Sequence, residues 1–381
     1  MTEKQISDEL KEQIRKLPSP NIAVIGGTGV GKSSLINAAF GRDLAKAGAG
    51  LPVTQEFCRY PADEESEDFP IYIYDSAGFE ANKTTEFVNG VSSFLAQKKT
   101  EGIDKQIHLV WYVINAASAR VQEFEKKIID NINQQDIPAI IILSQCDRAK
   151  EEEINAIKEA LKTFKLNNVY EVLEVAASPL IVKGKPICEP FGLQELIDQT
   201  VKLLPEILTD AVIAAQVVNL QAKRQLVWKH ISVAAASSFA AQAVPVPVGV
   251  PALIAAQTGL CMSIASVYGY REVGDFLVNI GSVTAFNAVL TAAFGDFIGF
   301  FFPGAGVATA GASASYVVVF GLACNAVFEK MAKDNLQGKG REAIEKYLTD
   351  SFRQEFEKYS LLRIGSLESL EIVKKNFLNP S

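Results

Sequence analysis

The stretch Ile22-Ala23-Val24-Ile25-Gly26-Gly27-Thr28-Gly29-Val30-Gly31-Lys32-Ser33-Ser34 passes from an apolar run into a glycine-rich loop and then into a helix-forming segment, Lys32 to Phe40. The order strand, loop, helix with the spelling G-x-x-x-x-G-K-S is what a phosphate-binding loop requires. Gly26, Gly29 and Gly31 can take backbone angles that turn successive N–H groups toward one anion, and the helix start adds its positive dipole end. Gly27, Thr28, Val30 and Ser34 complete the expected cradle. Lys32 is placed to reach the β- and γ-phosphates, and the Ser33 hydroxyl to ligate Mg²⁺.

Three further elements bear on which nucleotide is bound. Asp75-Ser76-Ala77-Gly78 follows the apolar run Ile71 to Tyr74. Asp75 is thereby expected to hold Mg²⁺ through water, and the N–H of Gly78 to meet the γ-phosphate. The polar, glycine-rich segment Gly41 to Tyr60 reads as a mobile loop whose one threonine, Thr54, is expected to complete the metal's coordination. Lys32, Thr54 and Gly78 then form the expected catalytic set, and Ser33, Thr54 and Asp75 the metal set. The third element, Ser144-Gln145-Cys146-Asp147, ends the run Ile137 to Leu143. The Asp147 carboxylate can accept N1–H and the 2-amino group of guanine, two donors that adenine does not present together. Relative to the usual [N/T]-K-x-D spelling, Ser144 stands for Asn or Thr, and Gln145 for the lysine that covers the purine. After Val175, the N–H groups of Ala176 and Ala177 are candidates for guanine O6.

Between Asn21 and Pro205, short β-rich runs alternate with amphipathic helical stretches. The runs are Ile22–Ile25, Phe57–Tyr60, Ile71–Tyr74, Ile107–Ile114, Ile137–Leu143 and Val169–Val175; the helical stretches include Thr85–Lys98, Val121–Asn133, Glu151–Phe164 and Leu193–Leu204. This alternation predicts an α/β domain, a doubly wound and mostly parallel sheet, with its ligand at the strand ends.

The second half has different chemistry. From Ile231 to Phe328 the only charges are Arg271, Glu272, Asp275 and Asp296, in a stretch rich in Ala, Gly and Ser and broken at Pro245–Pro251 and Phe302-Pro303-Gly304. An all-α, hydrophobic helical domain of hairpins is expected over 206–381. Ala252–Tyr270, Phe276–Gly295 and Val307–Phe328 approach the length of a membrane span. Spanning or re-entrant hairpins, a membrane-touching domain and a buried helical core all remain open. Lys223, Arg224 and Lys229 just before the stretch suit an anionic lipid surface. Ile6, Leu10, Ile14 and Leu17 predict a helix within 1–20 that joins the helical domain; Phe352, Phe356 and Tyr359 predict a second packing stripe.

The 381 residues carry a net charge of −7, which argues against a nucleic-acid partner. Five scattered cysteines without a C-x-x-C pair point to free thiols in a reducing compartment. No apolar leader follows Met1, so a cytoplasmic site, at the cytosolic face of a membrane, is expected.

Residues 21–205 resemble a G domain of the Ras/Era-like (TRAFAC) GTPase class, whose five sequence elements occur here in order. The loop spelling G-x-T-G-x-G-K-S-S is similar to that of the immunity-related GTPases and their bacterial relatives, in which a G domain precedes a hydrophobic helical domain. Val244-Pro245-Val246-Pro247 through Gln257 and Tyr268-Gly269 resemble that helical domain. The resemblance implies GTP and Mg²⁺ as ligands, GTP hydrolysis, and a nucleotide-dependent switch in membrane association or self-assembly of the dynamin-like kind. Where many G domains carry a water-positioning Gln after D-x-x-G, this chain has Phe79. Slow turnover, helped by a homodimer through the G domains or by another protein, is therefore expected. A nucleotide-binding adaptor with little hydrolysis is the alternative, and a ribosome-assembly GTPase a third, disfavoured by the charge.

Overall fold

The computed structural model describes residues 19–41, 44–45, 51–52, 57–61, 70–78, 84–102, 105–164, 168–183, 185–242, 250–270, 310–334, 351–352, 354–359, 362 and 367–380. The expected helix in 1–20, Thr54, Phe79, the span Phe276–Gly295 and most of Pro245–Pro251 lie outside these. The chain divides into one compact unit over Leu17–Asn219 and a second that contains Leu220–Ser381.

The first unit is the expected α/β fold. Its strands are β1 (Asn21–Gly26), β2 (Leu51–Pro52), β3 (Phe57–Tyr60), β4 (Tyr72–Ser76), β5 (Leu109–Asn115), β6 (Ala139–Ser144) and β7 (Val169–Val175). They form one sheet in the order β2-β3-β4-β1-β5-β6-β7. β4, β1, β5, β6 and β7 are parallel, while β3 runs antiparallel to both β4 and β2. The helices are α1 (Lys32–Phe40), α2 (Thr84–Thr100), α3 (Glu123–Gln134), α4 (Glu151–Lys162), α5 (Leu193–Leu203) and α6 (Glu206–Ala215).

Both faces of the sheet are covered, so the central strands are continuously apolar and alternate residues serve opposite cores. Ile22, Val24, Trp111 and Val113 pack with Leu35, Phe40, Leu196 and Val212 on one face; Ala23, Ile25, Val110 and Tyr112 pack with Phe94, Ile128 and Ile157 on the other. Buried Trp111 stacks on Phe40 at 5.8 Å and donates its indole N–H to Thr200 Oγ1 at 3.0 Å, so its one polar atom is satisfied.

The unit runs past the expected end at Pro205. A proline at a helix start loses nothing, because the first N–H groups have no intrahelical partner, and Pro205 caps α6 rather than closing the domain. α6 buries Leu208, Val212 and Ala215 in the sheet's core. The segment after it is then tied down: Gln216 Oε1 accepts from the N–H groups of Val218 and Asn219, both at 2.7 Å, Val217 N–H donates to Ala39 O, and Asn219 Nδ2 donates to Asp198.

A hairpin that periodicity did not reveal, β8 (Leu180–Val182) with β9 (Lys185–Cys188), stands between β7 and α5 as a separate two-stranded sheet. Its strands are too short and too exposed to carry an apolar alternation.

In the second unit, α7 (Leu220–Gln242), α8 (Val250–Val267) and α9 (Ala310–Lys333) pack on one another, and α10 (Leu367–Leu378) packs on α7. Gly321 lets α9 approach α7 closely, since a Cβ there would stand 2.5 Å from Ile231. The C-terminal stripe packs as expected: Phe352 lies 5.5 Å from Phe320, and Phe356 lies 5.7 Å from Tyr316.

The expected lipid-facing role of the basic residues in α7 is overturned for two of them. Lys223 is buried and donates to the Val267 carbonyl at the end of α8; burial lowers its pKa to about 7. Arg224 is paired with Glu329 of α9, which also accepts from Lys333 at 2.7 Å. The carbonyls that end α8 and the carboxylate of Glu329 give these two buried or half-buried cations partners that offset part of the cost of leaving water. Among the described residues one segment, Ser315–Lys333, is long and apolar enough to cross a membrane, with mean hydropathy 1.3, yet 78% of it is buried within the protein.

Gly192, which starts α5, has φ 77° and a Cβ position only 2.0 Å from Glu174 O. Gly192→Ala should therefore destabilise the fold by roughly 3 kcal/mol, from the left-handed backbone and the clash with β7 together. Urea unfolding followed by circular dichroism checks this.

Candidate nucleotide site

The topology brings the predicted residues to one end of the sheet. Gly26–Ser33, Asp75–Gly78, Ser144–Asp147 and Ala176–Ala177 each follow the carboxyl end of a parallel strand, where open α/β sheets bind ligands.

The loop between β1 and α1 is polarised. Lys32 Nζ is buried and donates to the carbonyls of Gly26 at 2.9 Å and Gly27 at 3.0 Å. Gln145 Nε2 donates to Gly29 O at 3.0 Å, Ser144 Oγ lies 2.6 Å from Val30 O, and Leu35 N–H closes the helix onto Gly31 O at 2.9 Å. The carbonyls at five loop positions thus have partners from the protein side. Gly29 at φ 74° and Gly31 at φ 95° use the freedom that a left-handed backbone demands. An ammonium has three donors, so with two spent on carbonyls Lys32 keeps one for a phosphate oxygen. Ser33 and Ser34 lie exposed on the first turn of α1.

Gly26 and Gly78 are needed for space rather than for angle. A Cβ on Gly26 would stand 2.5 Å from Val113 O, and one on Gly78 would stand 2.5 Å from Thr28 Oγ1. The D-x-x-G segment therefore rests directly on the phosphate loop.

Lys32 and Asp75 shape each other without an ion pair. Burial lowers the pKa of Lys32, and the charge of Asp75 partly offsets that. Burial pushes the Asp75 carboxyl up to about 6, against the pull of Lys32. Asp75 Oδ1 is buried with no hydrogen-bond partner among the described residues. A desolvated carboxylate oxygen left unmatched costs stability, and a hydrated divalent cation would satisfy it. The donor set of Asp75 and the Ser33 hydroxyl fits Mg²⁺, which would neutralise charge on the β- and γ-phosphates.

The base-reading region holds one correction and one added role. Ser144 and Gln145, which the spelling marks as departures in guanine recognition, also hold the phosphate loop, and Gln145 takes φ 56° to reach it. Ala176 does not offer a free N–H: it donates to Phe191 O at 3.0 Å and accepts from Phe191 N–H at 3.1 Å. That pairing leaves Ala177, which is half-buried, as the candidate for the purine oxygen. Asp147 lies in the single-turn helix Cys146–Arg148 with its carboxylate nearly buried, 3.5 Å from Arg148 Nε. Burial raises the Cys146 thiol beside it to about 11, so it is no nucleophile. All five cysteines are free.

Residues 21–145 match the family model described as "50S ribosome-binding GTPase". GTPase Era of Caldanaerobacter subterraneus subsp. tengcongensis is 27% identical over 158 residues, 41% of this chain and 49% of that protein. GTPase Der of Helicobacter hepaticus is 27% identical over 187 residues, 46% of this chain and 37% of that protein. The chain thus spans about half the length, or less, of these curated relatives. Among solved structures, Era of Aquifex aeolicus bound to GDP·AlF4⁻ is similar at 18% identity and a TM-score of 0.31, covering 49% of this chain and 57% of that one. Residues 21–145 thus match a GTPase family model and fold as a P-loop G domain, and the match stops two residues short of Asp147.

Asp75 supplies a test that needs no nucleotide. Its folded pKa lies above the ordinary carboxylate value, so its effect on stability is most favourable below about pH 4 and is lost as pH rises to about 6. In chelator and without nucleotide, Asp75→Asn should raise stability by on the order of 2 kcal/mol at pH 7, with the gain vanishing near pH 4. Thermal unfolding across that range checks both sign and window.

Proposed function

We propose that this chain binds GTP with Mg²⁺, hydrolyses it slowly to GDP and phosphate, and uses the nucleotide state to switch membrane association or self-assembly. The observation that carries the nucleotide reading is the polarised loop. With its carbonyls held by Lys32, Gln145 and Ser144, the N–H side of the loop is left for a polyphosphate, beside the unpartnered oxygen of Asp75. Guanine recognition rests on Asp147 and Ala177. Slow turnover rests on Phe79, which cannot orient a water by hydrogen bonding. A second protomer or another protein is the proposed source of the missing group.

The membrane part of the reading is supported by the charge-poor stretch from Ile231 to Phe328 and by the likeness of the loop spelling to that of immunity-related GTPases. A second reading is favoured by a different observation. The matched family model is described as ribosome-binding, and the relatives are named Era and Der. A ribosome-associated GTPase is therefore the competing proposal, set against the chain's net charge of −7.

Hydrolysis of GTP by the purified full chain should be detectable, Mg²⁺-dependent and more than proportional to protein concentration, and Lys32→Ala should lower it at least about 100-fold. Linear dependence on concentration would remove dimer assistance. No single-turnover hydrolysis would leave an adaptor. Flotation with liposomes and pelleting with ribosomes, each with GDP and a non-hydrolysable GTP analogue, separates the two cellular readings. Ser144→Ala should weaken GTP binding roughly five- to tenfold by freeing Val30 O, as fluorescent-nucleotide titration would show.

A further inference from the structure

The hairpin β8–β9 has no part in the nucleotide site, yet among the described residues of its unit it gathers the most exposed apolar side chains. Ile181 is 60% exposed, Ile187 64% and Phe191 38%. Pro186, paired with Ile181 across the hairpin, is exposed as well. Lys183 and Lys185 flank the tip, are exposed, and make no ion pair with a described residue. Glu189 is the one acidic residue from Ser178 to Phe191. Large apolar side chains exposed on the strands behind a tip that carries two lysines cost solvation free energy unless something covers them.

The occupant can be argued from the backbone. Pro179, Pro186 and Pro190 remove N–H donors in and around the two strands, which makes the hairpin a poor template for a further strand from another protein. Two copies meeting tip to tip would set lysines against lysines. An anionic bilayer fits both features at once: the isoleucines and Phe191 enter the interface, and the lysines are drawn to acidic headgroups.

We propose that this hairpin is the docking wedge by which the G domain engages an anionic lipid surface. The proposal rests on the membrane-association reading above and names the segment that makes the contact. The wedge is rooted at the nucleotide end of the sheet. Phe191 exchanges both backbone hydrogen bonds with Ala176, next to Ala177, and Gly192 lies against Glu174 of β7. Insertion of Phe191 would therefore bear on the loop proposed to read the base.

The test uses the full chain with phosphatidylcholine vesicles, with and without roughly one-third phosphatidylserine. An Ile187→Trp variant should show emission quenched by brominated lipid in the anionic vesicles, beyond the baseline from Trp111 and Trp228 in the unsubstituted chain. Ile181→Ser/Ile187→Ser should weaken flotation at least about tenfold, and Lys183→Glu/Lys185→Glu by a similar factor on anionic vesicles alone. All replaced side chains are exposed, and circular dichroism confirms that the fold is kept. Flotation of the chain with an unquenched Trp at 187 would overturn the wedge while leaving membrane association standing. Absence of flotation would overturn both. Loss of self-association in the serine variant, with vesicle binding unchanged, would assign the hairpin to a protein contact and overturn the proposal.

Discussion

The nucleotide end of the sheet depends on one constraint: the carbonyls of the phosphate loop must find partners inside the protein. A glycine-rich loop offers as many acceptors as donors, and an anion is bound only if the acceptors are turned away from it. Lys32 takes the carbonyls of Gly26 and Gly27, Gln145 takes that of Gly29, Ser144 meets that of Val30, and the first turn of α1 takes that of Gly31. Lys32 is thus a structural donor before it is a ligand for phosphate. Burial lowers the pKa of Lys32, and Asp75, equally desolvated, offsets part of that shift. Donors and acceptors fixed by the fold in this way are what make electrostatic stabilisation effective.

This constraint also explains what was legible in the sequence. The loop, Asp75 and the strand ends announce themselves because their chemistry is local: glycines, a lysine and a carboxylate at fixed offsets from apolar runs. Phe57–Tyr60 and Val169–Val175 are strands over the residues expected, and most other boundaries move by one or two residues. Ser144 and Gln145 show in the sequence only as replacements within a base-reading motif. Their contacts are with residues more than a hundred positions earlier, and nothing in the spacing shows this. The commitment of the Ala176 N–H is hidden in the sequence for the same reason, since its partner Phe191 lies across the hairpin. The alternation of strands and helices ends near Pro205 in the sequence, and the proline there starts one more helix.

The helical half was the least legible, because charge depletion has two causes that look alike in sequence. Lipid exposure removes charges from a surface; dense helix packing removes them from an interface. In the described part of this unit the second cause operates. Gly321 brings α9 against α7, the apolar face of Ser315–Lys333 is largely covered, and Lys223, Arg224 and Glu329 are spent on one another's helices. A basic cluster that looks poised for headgroups is instead a set of internal struts.

That reassignment changes where an affinity for lipid would have to reside. A buried lysine held by a helix-terminal carbonyl cannot contribute to surface potential, and an arginine committed to a carboxylate contributes little. Attraction to an anionic surface needs cations that are exposed, unpaired and next to apolar side chains able to follow them into the interface. In the Leu17–Asn219 unit, Lys183 and Lys185 with Ile181 and Ile187 meet those conditions together. The hydrophobic half and the hydrophobic contact therefore need not coincide: a packed helical unit and an exposed hairpin on the G domain can divide the work, one by self-packing and the other by docking.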